Sequence, residues 1–273
     1  MTRLTLRDRI EHYYAHVPLL FAEAEEFGTL RLFVRREVGA PYYGGPSHAR
    51  PVSADGARAV TVADLERVRA RQRELGVPQA FEWLAESAES AGPGLRATVE
   101  GAGIAVEERP LMVLDPERTP AAAPLPAGVT VRAVAADDPA LAAVLAVPNL
   151  AFGGPASVPA AEVPAVRQTL RDGTKVLVVA FAPDGSPLAA GHYHPCGGAA
   201  EIGGIGTHPA ARRQGLGAAV TTALTAHAAD HGVRTVFLAY ALESVARLYA
   251  RLGFRPAGTT LLIAGQPARG QRP

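Results

Sequence analysis

Arg212-Arg213-Gln214-Gly215-Leu216-Gly217 forms a basic, glycine-containing turn between a strand-like stretch, Glu201 to Thr207, and the opening of a helix. The glycines remove bulk where the backbone turns, so consecutive amide N–H groups can point at an anion held at the helix N-terminus. That is chemistry for a pyrophosphate. Spacing separates the designs that could use such a turn. A P-loop needs Gly-Lys-Ser/Thr to close the loop, and none is present. A dinucleotide fingerprint needs a small residue where Val220 stands and an acidic residue about twenty positions further on. Both fit poorly. Other chemistry-bearing residues stand near the turn: Glu201, eleven residues before Arg212; His192, His194 and Cys196, alternating along one strand; and Tyr249, in Ser244-Val-Ala-Arg-Leu-Tyr-Ala-Arg-Leu-Gly-Phe254.

The third design is Arg/Gln-x-x-Gly-x-Gly/Ala after a strand, and Arg212, Gly215 and Gly217 fill it in register. This is the acyl-coenzyme A signature of the GNAT superfamily of N-acetyltransferases, and the stretch resembles that family. The resemblance implies that the amides of Arg213, Gln214, Gly215, Leu216, Gly217 and Ala218 bind the pyrophosphate of acetyl-CoA, with Arg212 and Arg213 adding charge-assisted contacts. It also implies that Ile205, Gly206 and Thr207 bind the pantetheine arm, because the family's splayed strands leave backbone groups free. The competing reading is a merely tight strand-to-helix turn.

Acetyl transfer to an amine needs a held thioester, a neutral nucleophile and a proton for the departing thiolate. A lysine-like acceptor titrates about three units above neutral pH, so exposing its lone pair costs roughly 4 to 5 kcal/mol. A positioned base reduces that penalty, by about a hundredfold to ten-thousandfold in rate. Glu201 has the spacing of the general-base glutamate in the histone-acetylating branch of the family. The resemblance therefore makes it the base, directly or through a water, against the alternative of a solvent-facing strand residue. Tyr249 matches the family's tyrosine that gives a proton to the coenzyme A thiolate, but it shares an apolar stripe with Val245 and Leu248, and a packed core tyrosine is the alternative. Ser244 replaces the family's usual asparagine and offers fewer donors to the cofactor. His192, His194 and Cys196 face one side. Two-apart ligands on one strand seldom close a tetrahedral shell without a fourth from elsewhere, so no metal is expected; lining an acceptor pocket beside Glu201 is a better use for them and plain packing better still. His208, beside Pro209, reads as structural.

These residues need elements to hold them. From Val129 the order reads strand (129–134), two helices (138–147 and 161–171), strands at 175–182, 188–194 and 201–207, a helix from Leu216 ended by Gly232, a strand (234–240), a helix striped by Val245, Leu248, Tyr249 and Leu252, and a final extended segment from Phe254. That is the GNAT order. Upstream, residues 2–27 carry apolar side chains at helical spacing with a break at Pro18; strands are expected at 30–36 and 79–84, helices at 61–76 and 95–100, and a hairpin or a pair of strands around Pro110 at 104–114. Trp83 reads as core rather than a binding platform. Tyr42 and Tyr43 lie in a Pro/Gly loop and suit packing better than ligand contact. The segment from Phe81 to Leu114 also resembles the N-terminal half of two-domain GNAT proteins, in which a degenerate copy of the fold precedes the working one.

The 273 residues allow one large or two modest domains. The expected fold class is α/β: residues 1–115 as a degenerate GNAT-like domain with a structural or substrate-shaping role, a Pro/Ala-rich connector at 116–128 containing Pro116, Pro120, Pro124 and Pro126, and a GNAT domain with a mixed, splayed sheet at 129–273. A net charge of +1 gives no global attraction to nucleic acid or an anionic membrane. The single Cys196 excludes an intrachain disulfide and suits a reducing compartment, the longest apolar run (176–182) is too short to span a bilayer, and the N-terminus lacks a signal-peptide core, so a cytoplasmic location is expected. The function expected is transfer of an acetyl group from acetyl-CoA to a small-molecule or peptide amine by direct attack, with a homodimer as one assembly open to the chain. The rival is a non-catalytic acyl-CoA-binding or sensing protein.

Overall fold

The computed structural model describes residues 4–36, 48–52, 60–85, 95–115 and 124–265; Tyr42, Tyr43, Pro116 and Pro120 lie outside the described residues. In chain order the elements are α1 (Leu6–His16), a 3-10 turn (Val17–Leu20), β1 (Ala22–Phe27), β2 (Leu30–Arg35), β3 (Ala49–Pro51), α2 (Val62–Glu74), β4 (Ala80–Leu84), α3 (Leu95–Gly101), β5 (Val106–Leu114), β6 (Thr130–Ala133), α4 (Leu141–Ala151), α5 (Glu162–Arg171), β7 (Val176–Phe181), β8 (Pro187–Cys196), β9 (Ala199–Thr207), a 3-10 turn (Pro209–Ala211), α6 (Leu216–Asp230), β10 (Thr235–Ala239), α7 (Glu243–Arg251) and β11 (Phe254–Gly265). Three readings are corrected. The helical spacing expected through residue 27 ends at the 3-10 turn that Pro18 opens, and residues 22–27 become β1, which pairs with β2 from Ala22↔Arg35 to Phe27↔Leu30. Cross-strand pairing supplies the hydrogen bonds that a broken helix could not. Residues 106–114 form one strand through Pro110 instead of a hairpin or a pair of strands, since proline's φ suits an extended chain and its ring removes a single donor. α4 continues past Pro148 to Ala151, where the sequence suggested a stop.

The chain divides into two compact units, Met1–Leu111 with Gly258–Ala268, and Met112–Ala257 with Arg269–Pro273. In the first, α1 and α2 each open with a capping box, Thr5 with Asp8 and Thr61 with Asp64, which satisfies backbone donors at both helix starts. Its strands follow the order β1-β2-β3-β4-β11. One face carries Leu30, Leu32, Phe81, Trp83, Leu262 and Ala264 against Leu65, Val68, Leu95 and Val99 of α2 and α3. Arg50 is fully buried; it donates to Glu11 of α1 at 2.5 Å and lies over the Tyr14 ring. The division expected from sequence gave the last strand wholly to the second domain. Instead its distal half pairs with β4, from Leu261↔Leu84 to Gly265↔Ala80, and belongs to the first unit.

The second unit holds the strand order β10-β9-β8-β7-β6, with β9 and β10 parallel and the remaining pairs antiparallel. Alternate residues feed two cores. On one face Val178, Ala180, Tyr193, Ala200 and Ile202 pack with Leu216, Val220 and Leu224 of α6 and with Ala246 and Tyr249 of α7. On the other, Leu177, Val179 and Ala190 pack with Leu141, Val144 and Val147 of α4 and Val166 of α5. This is the expected α/β class, a mixed sheet flanked by helices.

Candidate active site

β9 is the hinge of the site. Its parallel ladder with β10 runs from Thr235↔Ala199 to Phe237↔Glu201, while the strand itself continues to Thr207. Past Glu201 the two strands part, and the edge carrying Ile205, Gly206 and Thr207 has no ladder partner in β10. On its other side β9 pairs with β8, from Ala189↔Thr207 and Ala190↔Gly206 to His192↔Gly203, so Gly191 opposes both Gly204 and Ile205. This is a β-bulge, and Gly204 occupies the left-handed region at φ +60 that its extra residue requires. The His192 ring lies over it: a Cβ at Gly204 would fall 2.7 Å from Cε1 and 2.8 Å from Nδ1. Adjacent glycines in a strand were the signal for this bulge, and the sequence reading did not use it.

After β9, His208 caps the 3-10 turn, its Nδ1 accepting from the Ala210 N–H at 3.3 Å, which fits a structural role. Arg213 then adopts φ +67, alone among the described non-glycine residues in the left-handed region, and Gly215 follows at φ +78 as the N-cap of α6. No side chain caps this helix. The first-turn N–H groups of Leu216, Gly217 and Ala218 therefore have no acceptor within the helix and concentrate its positive end. Leu216 itself is buried in the core, so only its backbone faces the turn, and Arg213, Gln214 and Gly215 are exposed. A Cβ at Gly217 would meet Thr207 Oγ1 at 3.5 Å and Ile205 Cγ2 at 3.7 Å, so the strand end and the helix start adjoin. Arg212 donates to the Ala151 carbonyl at 2.7 Å, tying the C-terminus of α4 to the turn, a role the sequence did not suggest. Gly206 permits the same approach from below: a Cβ there would lie 2.7 Å from the Pro148 Cα.

Glu201 is half-buried on β9 and sits opposite His194 and Phe237, whose side chains share its face. Tyr249 lies on the α6 and α7 side, 8% exposed, with its ring edge-on to Phe254 at 5.7 Å between centroids. Burial pushes its hydroxyl up to about 12, so it keeps its proton at neutral pH. The two candidate catalytic residues thus belong to opposite faces of the sheet, on either side of the strand whose ladder with β10 ends at Glu201. Ser244 is exposed in the first turn of α7.

His192 and His194 approach each other with ring centroids 5.4 Å apart. His194 is 2% exposed and donates from Nδ1 to the Thr174 carbonyl at 2.7 Å; burial, aided by nearby Lys175, pushes it down to about 3, so it is neutral. Burial also raises the Cys196 thiol. Among the described residues no group of three or more His, Cys, Asp or Glu is arranged to hold a metal ion.

Residues 145–254 match the family model described as acetyltransferase (GNAT) family. Among solved structures, a GCN5-related N-acetyltransferase from Kribbella flavida is similar at 24% identity over 95% of each chain, with a TM-score of 0.73. A tandem GNAT protein from the clavulanic acid biosynthesis pathway is similar at 20% identity over 87% of this chain and 78% of that one, with a TM-score of 0.57. A GCN5-related N-acetyltransferase from Sphaerobacter thermophilus gives 18% identity over 90% and 78%, with a TM-score of 0.61. At these identities the structures share the fold. No curated protein matches the sequence.

Proposed function

We propose that this chain, whose residues 145–254 match the acetyltransferase (GNAT) family model, moves an acetyl group from acetyl-CoA to a primary amine by direct attack. The observation that carries the reading is the parting of β9 and β10 beyond Glu201 and Phe237, beside an uncapped α6 whose entry turn is opened by Gly215 and Gly217. The amides of residues 216–218, with Arg213 alongside, receive the pyrophosphate at the helix N-terminus. The free edge of β9 at Ile205 to Thr207 pairs with the pantetheine amides and aims the thioester into the gap. Glu201 takes the acceptor's proton, directly or through a water, so that a neutral amine attacks the thioester carbonyl. As the C–S bond breaks, Tyr249 gives its proton to the departing thiolate, and its raised pKa keeps that proton in place until the thiolate forms.

Two observations favour a second reading, an acyl-CoA-binding protein without turnover: Tyr249 is packed in the core with Phe254, and Ser244 offers a single exposed hydroxyl. Calorimetric titration with acetyl-CoA, run beside thiol release in the presence of a panel of amines, separates the two. The transferase requires saturable binding and amine-dependent release. In that assay Glu201→Gln is expected to cut turnover about a hundredfold or more and Tyr249→Phe about tenfold or more, with acetyl-CoA affinity kept in both. Binding without release across the panel would leave the binding protein.

A further inference from the structure

Lys and Arg together number 27 in this chain, and Lys175 is the single lysine. A chain that uses arginine for every other basic position outside histidine keeps a primary amine here. The two side chains differ in one property that matters for chemistry: a guanidinium cannot lose its proton in a protein, whereas a lysine amine can, and burial helps it do so. An anchor for a carboxylate or a surface charge would be served at least as well by arginine. A nucleophile would not.

The position is not a surface one. Lys175 immediately precedes β7 and is half-buried. The register Val176↔Tyr193 sets Lys175 opposite His194, and His194 in turn pairs with Glu201. Lys175, His194 and Glu201 therefore form one row across three adjacent strands, on the face that carries the candidate base, with neighbouring strands about 5 Å apart. The backbone N–H of Lys175 bonds to the Thr169 carbonyl at 3.1 Å, which fixes where the side chain leaves the backbone. The charged and titratable groups that face it are His194 from β8, Glu162 from the first turn of α5 and, one strand beyond, Glu201 from β9; Arg171 at the end of α5 is exposed. Burial holds the ammonium down to about 8, with Glu162 opposing more weakly. At neutral pH the neutral fraction is then roughly 200-fold or more larger than for an ordinary lysine. Acylation would also replace a half-buried cation by a neutral amide, which suits its surroundings better.

We propose that Lys175 is itself an acyl acceptor, so that the chain acylates its single lysine from the coenzyme A thioester it binds. The Nζ lone pair attacks the thioester carbonyl carbon, the C–S bond breaks, and the proton shed by the attacking nitrogen ends on the departing thiolate. The products are Nζ-acyl-lysine and coenzyme A thiol. The inference rests on the acetyl-CoA reading above, and its test tells the two apart.

The full-length chain is incubated with acetyl-CoA between pH 6 and 9, and acetylation is located by mass spectrometry of the intact protein and of its fragments, which distinguishes Lys175 from the N-terminal amine. Calorimetry on the same preparation measures donor binding. The expected result is one acetyl group on Lys175, absent from Lys175→Arg. Its rate should saturate at the donor concentration that calorimetry gives, level off above about pH 8, and exceed at pH 7 that of the chain unfolded in urea by tenfold or more. Donor binding without acetylation of Lys175, or a rate linear in donor and no faster than in the unfolded chain, overturns the inference and leaves the proposed function standing. Absence of both binding and acetylation overturns both.

Discussion

At the scale of single residues, His194 is held neutral by its surroundings. Its Nδ1 proton goes to the Thr174 carbonyl, and the rest of the ring is enclosed. The unfolded chain takes up a proton on this residue as pH falls below about 6.5, whereas the folded chain resists until about 3. The stability His194 contributes is therefore fully present above the unfolded value and is lost as pH falls from 6.5 toward 3, by on the order of 5 kcal/mol across the window. Denaturant unfolding measured through this range should show that decline, and His194→Gln, which keeps an amide donor but no titrating ring, should flatten it. A flat wild-type profile would mean that the ring takes its proton in the folded state. Glu201 was a chemical candidate because its spacing to Arg212 resembles that of the general-base glutamate in the histone-acetylating branch of the family, a pattern in one dimension. Lys175, the His192 ring over Gly204 and the Arg212 bond to Ala151 were not legible, since each depends on cross-strand register or on a contact between distant segments.

At the scale of elements, two glycines only thirteen positions apart have opposite requirements. Gly204 sits at φ +60 under the His192 ring, so Gly204→Ala combines backbone strain with displacement of the imidazole and is expected to cost about 1 to 3 kcal/mol in stability. Gly217 lies in the first turn of α6, where a methyl group would make only ordinary contacts with Thr207 and Ile205. Gly217→Ala should leave stability unchanged or raise it by up to about 1 kcal/mol, while weakening acetyl-CoA binding by filling the space above the amides. Thermal unfolding and calorimetry on the same pair of variants read both effects. If Gly217→Ala binds acetyl-CoA as the wild type does, the pyrophosphate does not approach that close. The helix start at Leu216 and the strand at Glu201 to Thr207 were legible from glycine placement and apolar spacing. β1 was not, because Glu-rich residues 22–27 show their alternation only when β2 lies beside them.

At the scale of the whole molecule, the chain returns to its first unit at its end. Leu262 and Ala264 enter the same core as Leu30, Phe81 and Trp83, and Leu261 to Gly265 pair with β4. A chain ending at Ala257 would expose the edge of β4 and lose part of that core. Trp83 is the single tryptophan, 3% exposed and on β4, so its fluorescence reports on this unit alone. Truncation after Ala257 is expected to shift its emission toward that of exposed tryptophan and to abolish or broaden its cooperative unfolding transition. An unchanged transition would mean that β4 holds its place without β11. No described helix is long and apolar enough to cross a membrane.

Local sequence alone determined the α/β class, the element order after residue 129 and the glycine-opened, uncapped start of α6 after the Arg212 to Gly217 turn. Each follows from periodicity, from glycine placement or from donors that a helix start must leave open, and all of these act within a few residues. The tertiary structure alone decided that β11 serves the first unit, that β9 parts from β10 after Glu201, that Tyr249 and Glu201 lie on opposite faces, and that Lys175, His194 and Glu201 share a row. Register between strands far apart in sequence is chosen by the packing of whole faces, and no local pattern carries it.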